Sequence, residues 1–295
     1  MTSTMDFAQE YERCRLAVNE ALETCFTQDC EQRVLLDAMR YSLLAGGKRI
    51  RPVLLLRFAA LCGLEEPDAM DAACGIEMLH TYSLIHDDLP CMDDDDLRRG
   101  RPTCHKVFGE TNAVLAGDAL QAAAFAHVLS ARVPGERRAA MALTLAKAVG
   151  EMGMCGGQYL DTCREGELRT KEDLLLVHSL KTSALLQAAC VMGVQAAGGT
   201  PEQVNAADSF ARHLGLAFQI RDDILDCIST AEELGKPIGS DAAEEKCTFA
   251  VLYGVDACEE LVLEHTEKAK EALRSAFTDT GFMEWLADWL AVRRH

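Results

Sequence analysis

Residues His80 to Lys106, HTYSLIHDDLPCMDDDDLRRGRPTCHK, limit what this chain can fold into more than any other stretch. Six aspartates, Asp87, Asp88 and Asp93 to Asp96, fall within ten residues, and Arg98 and Arg99 follow at once. An apolar, helix-like approach leads in through Ile76, Met78, Leu79, Leu84 and Ile85. So much like charge at the end of a buried segment is unfavourable unless something offsets it. Hard divalent cations are the usual partner of clustered carboxylates, and a cation held there can hold an anion in turn. In a regular helix Asp87 and Asp93 lie about 240° apart and cannot share a cation. Pro90 interrupts the helix, so a bulge at Leu89 to Met92 is expected to bring them together. Asp94, Asp95 and Asp96 are surplus, expected to be solvated or paired with Arg98, Arg99 or Arg101.

The remaining composition favours helix. The chain has 295 residues, 49% hydrophobic, with only 6% aromatics and seven prolines. Ala, Leu, Met, Glu and Gln are plentiful, and no strand pattern of convincing length appears. We read one all-α domain over residues 1–295, with no repeat and no low-complexity linker. The net charge of −18 argues against general nucleic-acid binding and against electrostatic attachment to anionic lipid. An anionic substrate therefore needs the field reversed locally by metal, Lys or Arg. Thirteen cysteines occur without any C-x-x-C spacing, which fits reduced, mostly packed thiols of a cytoplasmic protein. The N-terminal residues carry no signal or transit pattern, and no uninterrupted apolar run approaches the ~18 residues of a membrane span.

Helices are expected over 6–28, 30–45, 52–62, 68–89, 110–132, 136–164, 170–197, from Thr200 onward, and through 248–292. Gly46-Gly47 should stop the second, and Lys48, Arg49 and Arg51 then form a basic loop before Pro52, a place that can grip phosphate. His80 and Asp87 are two turns apart on one helix face. Gly153, Gly156 and Gly157 lie inside the expected 136–164 helix, for close packing or for ligand room. Thr170 should cap the helix that carries Lys181-Thr182. Thr200-Pro201-Glu202-Gln203 is a helix start. That helix carries an apolar stripe, Val204, Ala207, Ala211, Leu214 and Phe218, and a polar one, Gln219, Asp222, Asp223 and Asp226. The stretch 229–247 is irregular and carries Lys236 and Lys246; a loop of that length is usually functional or mobile. The last residues, Arg293-Arg294-His295, are basic, and Arg293 and Arg294 are candidates to close over a site.

Two carboxylate clusters, DDLPCMD at 87–93 and DDILD at 222–226, suit a helical bundle in which both face one cavity mouth. Mg²⁺ needs one or two carboxylates plus substrate phosphates, so the clusters can clamp several ions on one diphosphate. Lys48, Arg51 and Arg99 can serve a second anion.

GGKRIRP, HTYSLIHDDLPCMDDDDLRRGRPTCHK, GGQYLD, LKTS and FQIRDDILD, in that order, resemble the trans-isoprenyl diphosphate synthases, most of all the bacterial short-chain subgroup typified by farnesyl diphosphate synthase. The resemblance spans at least residues 43–250. It implies a single bundle of antiparallel helices around a deep apolar cavity, usually as a homodimer. It implies Mg²⁺, about three ions per site with Mn²⁺ as the alternative. Asp87, Asp88 and Asp93 would bind two of them, and Asp222, Asp223 and Asp226 the third. Arg98, Lys181, Lys236 and Lys246 would contact the allylic diphosphate. Lys48, Arg51, His80 and Arg99 would hold isopentenyl diphosphate. Thr182 and Gln219 would lie near the developing positive charge. The implied reaction is head-to-tail condensation of isopentenyl diphosphate with dimethylallyl and geranyl diphosphate through an allylic carbocation, with released diphosphate as the base.

In the family, residues five and four before the first aspartate shape the cavity floor, here Tyr82 and Ser83. The aromatic Tyr82 resembles farnesyl (C15) rather than geranylgeranyl (C20) synthases. Ideal helix geometry sets Ser83 about 40° from the Asp87 face and Tyr82 about 140° from it, so the two criteria pull apart. The C20 synthase is the nearest alternative. A terpene cyclase would not need Lys48, Arg51, His80 and Arg99, and a non-catalytic synthase subunit tends to lose one aspartate motif, whereas both are intact here.

Overall fold

The computed structural model describes residues 4–164, 170–228 and 248–293. Its only strands among these are the two-residue β1 (Leu97–Arg98) and β2 (Arg101–Pro102), paired antiparallel with Leu97 opposite Pro102. Everything else regular is helix, so the all-α expectation holds. The expected irregular stretch with Lys236 and Lys246 lies outside the described residues. The contacts divide the chain into two compact units, residues 1–142 and 143–295.

The first unit holds α1 (Thr4–Glu23), α2 (Arg33–Leu43), α3 (Ile50–Leu61), α4 (Glu66–Asp87), α5 (Cys104–Phe108) and α6 (Glu110–Ser130). Its core helix is α4, packed along α6, α3 and α1. Twelve residues of α4 are buried, from Ala69 to Ile85, so this helix is apolar on nearly all sides until its acidic end. Leu54, Leu55, Phe58, Ile76, Met78 and Leu79 are fully buried. At roughly 1.5–3 kcal/mol for each large side chain, that core is what holds the end of α4 in place. α3 begins two residues before Pro52, which falls in the first turn, where a missing amide donor has no consequence.

The helix α7 (Gly135–Val149) contains the boundary between the units. The second unit continues with α8 (Met154–Cys163), α9 (Lys171–His178), a π-helical turn (Ser179–Ser183), α10 (Ala184–Ala197), α11 (Pro201–Ile228), α12 (Phe249–Tyr253), α13 (Val255–Arg274) and α14 (Gly281–Ala291). The single helix expected over 136–164 is two helices, broken after Val149. A Cβ on Gly153 would stand 2.2 Å from the Ala148 carbonyl oxygen, so the glycines make the break rather than being tolerated within a helix. The expected caps are present. Thr170 and Asp173 form a reciprocal box at α9, and Thr200 and Gln203 do the same at α11. Gly198, with φ of 74°, ends α10. α11 lies between α10 and α13, and Ala217, Ile220 and Ile224 bury against Phe249, Cys258 and Val262.

The twelve described cysteines are free. Cys14, Cys74, Cys104, Cys190 and Cys258 are packed as expected, whereas Cys91, Cys155, Cys163 and Cys227 are exposed. Residues 110–130 and 171–197 are long and apolar enough to cross a membrane by length and composition alone. Both are rich in Ala, and the second is half buried within its unit, so neither shows a span.

Candidate active site

In the first unit α4 ends at Asp87 and the chain folds back on itself. The Asp93 amide donates to the Asp87 carbonyl at 2.9 Å, and the Met92 and Asp94 amides donate to Leu89 at 2.8 and 3.1 Å. Asp94 takes a left-handed φ of 51°, which Asp tolerates better than most residues. This is the bulge expected at Pro90, and it returns residue 93 to the helix end beside Asp87. Asp88 caps α4 and is buried. Burial pushes its carboxyl up to about 6, although Arg98 pulls the other way. Arg98 Nε donates to Asp88 at 2.5 Å and its terminal nitrogen to Asp95 at 3.2 Å. Asp96 pairs with Lys106 at 2.5 Å. Two surplus aspartates thus brace the hairpin that carries Arg98 and Arg99.

The basic loop packs close by in the same unit. Arg99 has a left-handed φ of 54°; it is exposed as a whole residue, yet its guanidinium lies over Gly47 and donates to the Gly46 carbonyl. A Cβ on Gly47 would meet the guanidinium carbon at 2.6 Å, and Gly47 also has φ of 115°, so only glycine suits this position. Arg51 is half-buried in the first turn of α3, and its Nε is shielded without a hydrogen-bond partner. Its pKa falls from 12.5 to about 10, through burial first, then Arg99, with Glu77 opposing. His80 is held well below its ordinary value by burial and by Arg51, Arg99, Arg98 and Arg49, so it is neutral near pH 7. The Lys48 carbonyl accepts the Tyr11 hydroxyl. A shielded guanidinium among like charges is a site for an anion.

Tyr82 is buried, and its ring meets His86 edge-on at 5.4 Å. His86 Nε2 lies 3.1 Å from the Val114 carbonyl of α6, in space left open by Gly117. Tyr82 therefore stands on the side of α4 that faces α6. Ser83 donates to the His80 carbonyl at 2.8 Å.

In the second unit Lys181 and Thr182 sit in the π-helical turn, a feature common at functional positions. Lys181 pairs with Asp161 of α8 at 2.5 Å. A Cβ on Gly157 would lie 2.3 Å from the Lys181 amide nitrogen, so that glycine serves close approach. Thr182 donates to Gln219 Oε1 at 3.1 Å, and Gln219 Nε2 donates to Asp223 at 3.3 Å. The other Asp223 oxygen accepts the Phe249 amide at 2.9 Å, at the start of α12. Asp226 is buried on α11. Asp222 pairs with Arg293, whose guanidinium also lies 3.6 Å from the Phe218 ring centroid and donates to the Phe218 carbonyl at 3.0 Å. Lys236 and Lys246 fall outside the described residues. Sequence reasoning missed Tyr11, Arg49, Glu77 and Asp161. Asp161 was visible in GGQYLD; the other three show only as part of ordinary helical or basic runs.

The donor sets suit Mg²⁺. Among the described residues no three His, Cys, Asp or Glu side chains form a ready cage. Mg²⁺ does not require one, since one or two carboxylates suffice when water and phosphate complete its shell. The turn from Asp87 to Asp93 offers three carboxylates and a single thiol, the exposed Cys91. Asp222, Asp223 and Asp226 offer carboxylate oxygen. Both sets are rich in the oxygen that Mg²⁺ takes rather than in the several Cys or His ligands that zinc prefers.

The acidic turn after α4 and the basic positions around Arg51 and Arg99 together suit a protein that handles metal-bound and free anions. The polyprenyl synthetase family model matches residues 32–285. Farnesyl diphosphate synthase of Geobacillus stearothermophilus is 44% identical over 94% of this chain and 95% of its own. The chloroplastic geranylgeranyl pyrophosphate synthase of Capsicum annuum is 45% identical over 94% of this chain and 76% of its own. The crystal structure of an FPP/GFPP synthase from Zymomonas mobilis superposes with a TM-score of 0.87 at 30% identity, over 98% of this chain and 100% of that one. The chain belongs to the polyprenyl synthetase family of trans-prenyltransferases, which use divalent metal ions and act on isopentenyl and allylic diphosphates.

Proposed function

We propose that the protein condenses isopentenyl diphosphate with dimethylallyl and then geranyl diphosphate to give (2E,6E)-farnesyl diphosphate. The observation that carries this reading is the pairing, within one unit, of a carboxylate turn with a shielded cationic loop. The turn suits a metal-bound diphosphate, and the loop suits a second, metal-free one. A terpene cyclase has only one diphosphate to hold.

Asp87, Asp88 and Asp93, with Asp222, Asp223 and Asp226, are the residues that would hold Mg²⁺. Bound Mg²⁺ neutralises the charge that builds on a departing diphosphate. Within this set Asp223 is also the one oriented from the protein side, its two oxygens accepting from Gln219 and the Phe249 amide. Arg98 and Lys181, with Lys236 and Lys246, would add positive charge to the allylic diphosphate. Lys48, Arg51 and Arg99 would fix isopentenyl diphosphate, and neutral His80 would donate a hydrogen bond to it. Thr182 and Gln219, oriented by their shared network, would turn oxygen toward the allylic cation. Apolar walls would keep water from that cation.

The family's names divide between C15 and C20 products. A buried aromatic at Tyr82 supports C15, its ring set edge-on against His86, whose imidazole reaches the Val114 carbonyl of α6. Product chromatography of Tyr82→Ala tests this. Longer products are expected, and an unchanged C15 product would remove Tyr82 from the floor.

We also propose a homodimer. α6 keeps Val114, Leu115 and Leu129 exposed, a surface suited to a second copy. Leu115→Glu should give monomers by light scattering; unchanged mass would contradict that surface. Free cysteines support a cytoplasmic location, which disulfides in protein isolated from its native cells would contradict.

A further inference from the structure

Lys48 and Arg49 end the loop between α2 and α3, and Arg51 follows in the first turn of α3, yet one of these three cations faces inward. Arg49 has a side chain only 1% exposed. Its guanidinium is spent in three directions on the protein. One terminal nitrogen donates to Glu77 of α4 at 2.7 Å, the other to the Leu43 carbonyl at the end of α2 at 2.7 Å, and Nε to Asn19 of α1 at 2.9 Å. The backbone at Arg49 is left-handed, with φ of 53°, a conformation that costs about 1 kcal/mol outside glycine and persists only where surroundings enforce it.

We propose that Arg49 is a positioning residue for the isopentenyl diphosphate site, pinning the loop to three helices so that Lys48 and Arg51 are held ready, and that Glu77 is its fixed counter-charge. This rests on the function proposed above. The geometry supports it in three ways. The Leu43 carbonyl is one of the unpaired acceptors at a helix C-terminus, so Arg49 fixes where α2 ends and the loop begins. Tyr11 of α1 holds the neighbouring Lys48 carbonyl, so both residues of the loop's tip are tied to α1. Glu77, 2% exposed, lies one turn before His80 on α4, and its charge also supports Arg51 and Arg99. Glu77 satisfies Arg49 directly, which leaves Arg51 and Arg99 with net positive charge for a ligand. Arg49 itself has no free direction in which to touch substrate.

Arg49→Lys keeps the charge and one contact but loses the planar three-way fork. KM for isopentenyl diphosphate should rise about tenfold or more, with kcat and KM for the allylic diphosphate within about twofold. Asn19→Ala, which removes one contact at a half-buried position, should raise the same KM about two- to fivefold without unfolding the protein. Calorimetric titration of inorganic diphosphate into metal-free protein in EDTA should show parallel weakening. A merely structural Arg49 would move both KM values together or lower Tm alone, and either result overturns the inference, as does unchanged diphosphate binding. The titration needs no turnover. A wild-type protein that binds diphosphate, loses it in Arg49→Lys and makes no prenyl product would overturn the proposed reaction and leave the positioning role standing.

Discussion

Replacing Arg51 by methionine should make the protein more stable and its site weaker in one step. Holding Arg51 protonated in its shielded place opposes folding, since its pKa drops from 12.5 to about 10. At about 1.4 kcal/mol per pKa unit, the full shift corresponds to ~3 kcal/mol. The residue is only half-buried, and solvent at its rim screens part of this, leaving about 1–2 kcal/mol. Methionine keeps most of the stem's volume and removes the charge. With roughly 2–4 °C per kcal/mol for chains of this size, the metal-free variant should melt ~2–8 °C above wild type by scanning calorimetry. Arg51 is protonated in both folded and unfolded chains at neutral pH. The folded state sheds its proton first only as pH climbs toward 10, so the gain should be flat between about pH 6 and 8. The same variant should lose stabilisation by inorganic diphosphate. Its KM for isopentenyl diphosphate should rise about 10- to 100-fold, the worth of a charge-assisted bond. A lower Tm, or an unchanged KM, refutes the reasoning.

Two further outcomes follow from the carboxylate turn and the π-helical turn. Asp88 has a folded pKa raised from 3.8 to about 6. Metal-free protein should therefore lose up to ~3 kcal/mol as pH rises from about 4 to 6, because the unfolded chain ionises first. Asp88→Asn should flatten that slope in thermal melts, and Mg²⁺ should raise the wild-type Tm more at about pH 8 than at about pH 5. Gly157→Ala pushes a Cβ toward backbone at Lys181. It should cost about 1–3 kcal/mol and lower kcat about tenfold or more with KM for isopentenyl diphosphate little changed; wild-type kinetics would show that the close approach does not matter.

Much of this was legible in the sequence because it depends on neighbours along the chain. Pro90 between Asp87-Asp88 and the run Asp93 to Asp96 announces a bulge, and the caps at Thr170 and Thr200 announce helix starts. Glycines were harder. Gly153 and Gly157 lie in one helical pattern, and only the structure separates their roles: Gly153 makes the break against the Ala148 carbonyl, and Gly157, inside α8, lets the Lys181 backbone approach. Long-range charge pairing was not legible. Arg49 and Glu77 are 28 residues apart, and the sequence shows one as a member of a basic run and the other as one acidic residue in a long helix. The engagement of Asp223 by Phe249 spans 26 residues and is equally silent. Residue roles came from resemblance to a family, not from composition, and they rest on matching motifs position by position.

The proposed condensation depends on both acidic motifs, Asp87 to Asp93 and Asp222 to Asp226. Purified protein incubated with Mg²⁺, isopentenyl diphosphate and either dimethylallyl or geranyl diphosphate, followed by chromatography of the dephosphorylated products, tests it directly. Farnesol should accumulate from both primers, and Asp87→Ala and Asp222→Ala should each reduce turnover by several orders of magnitude. Undiminished condensation in either variant, or no condensation by the wild type, would contradict the account.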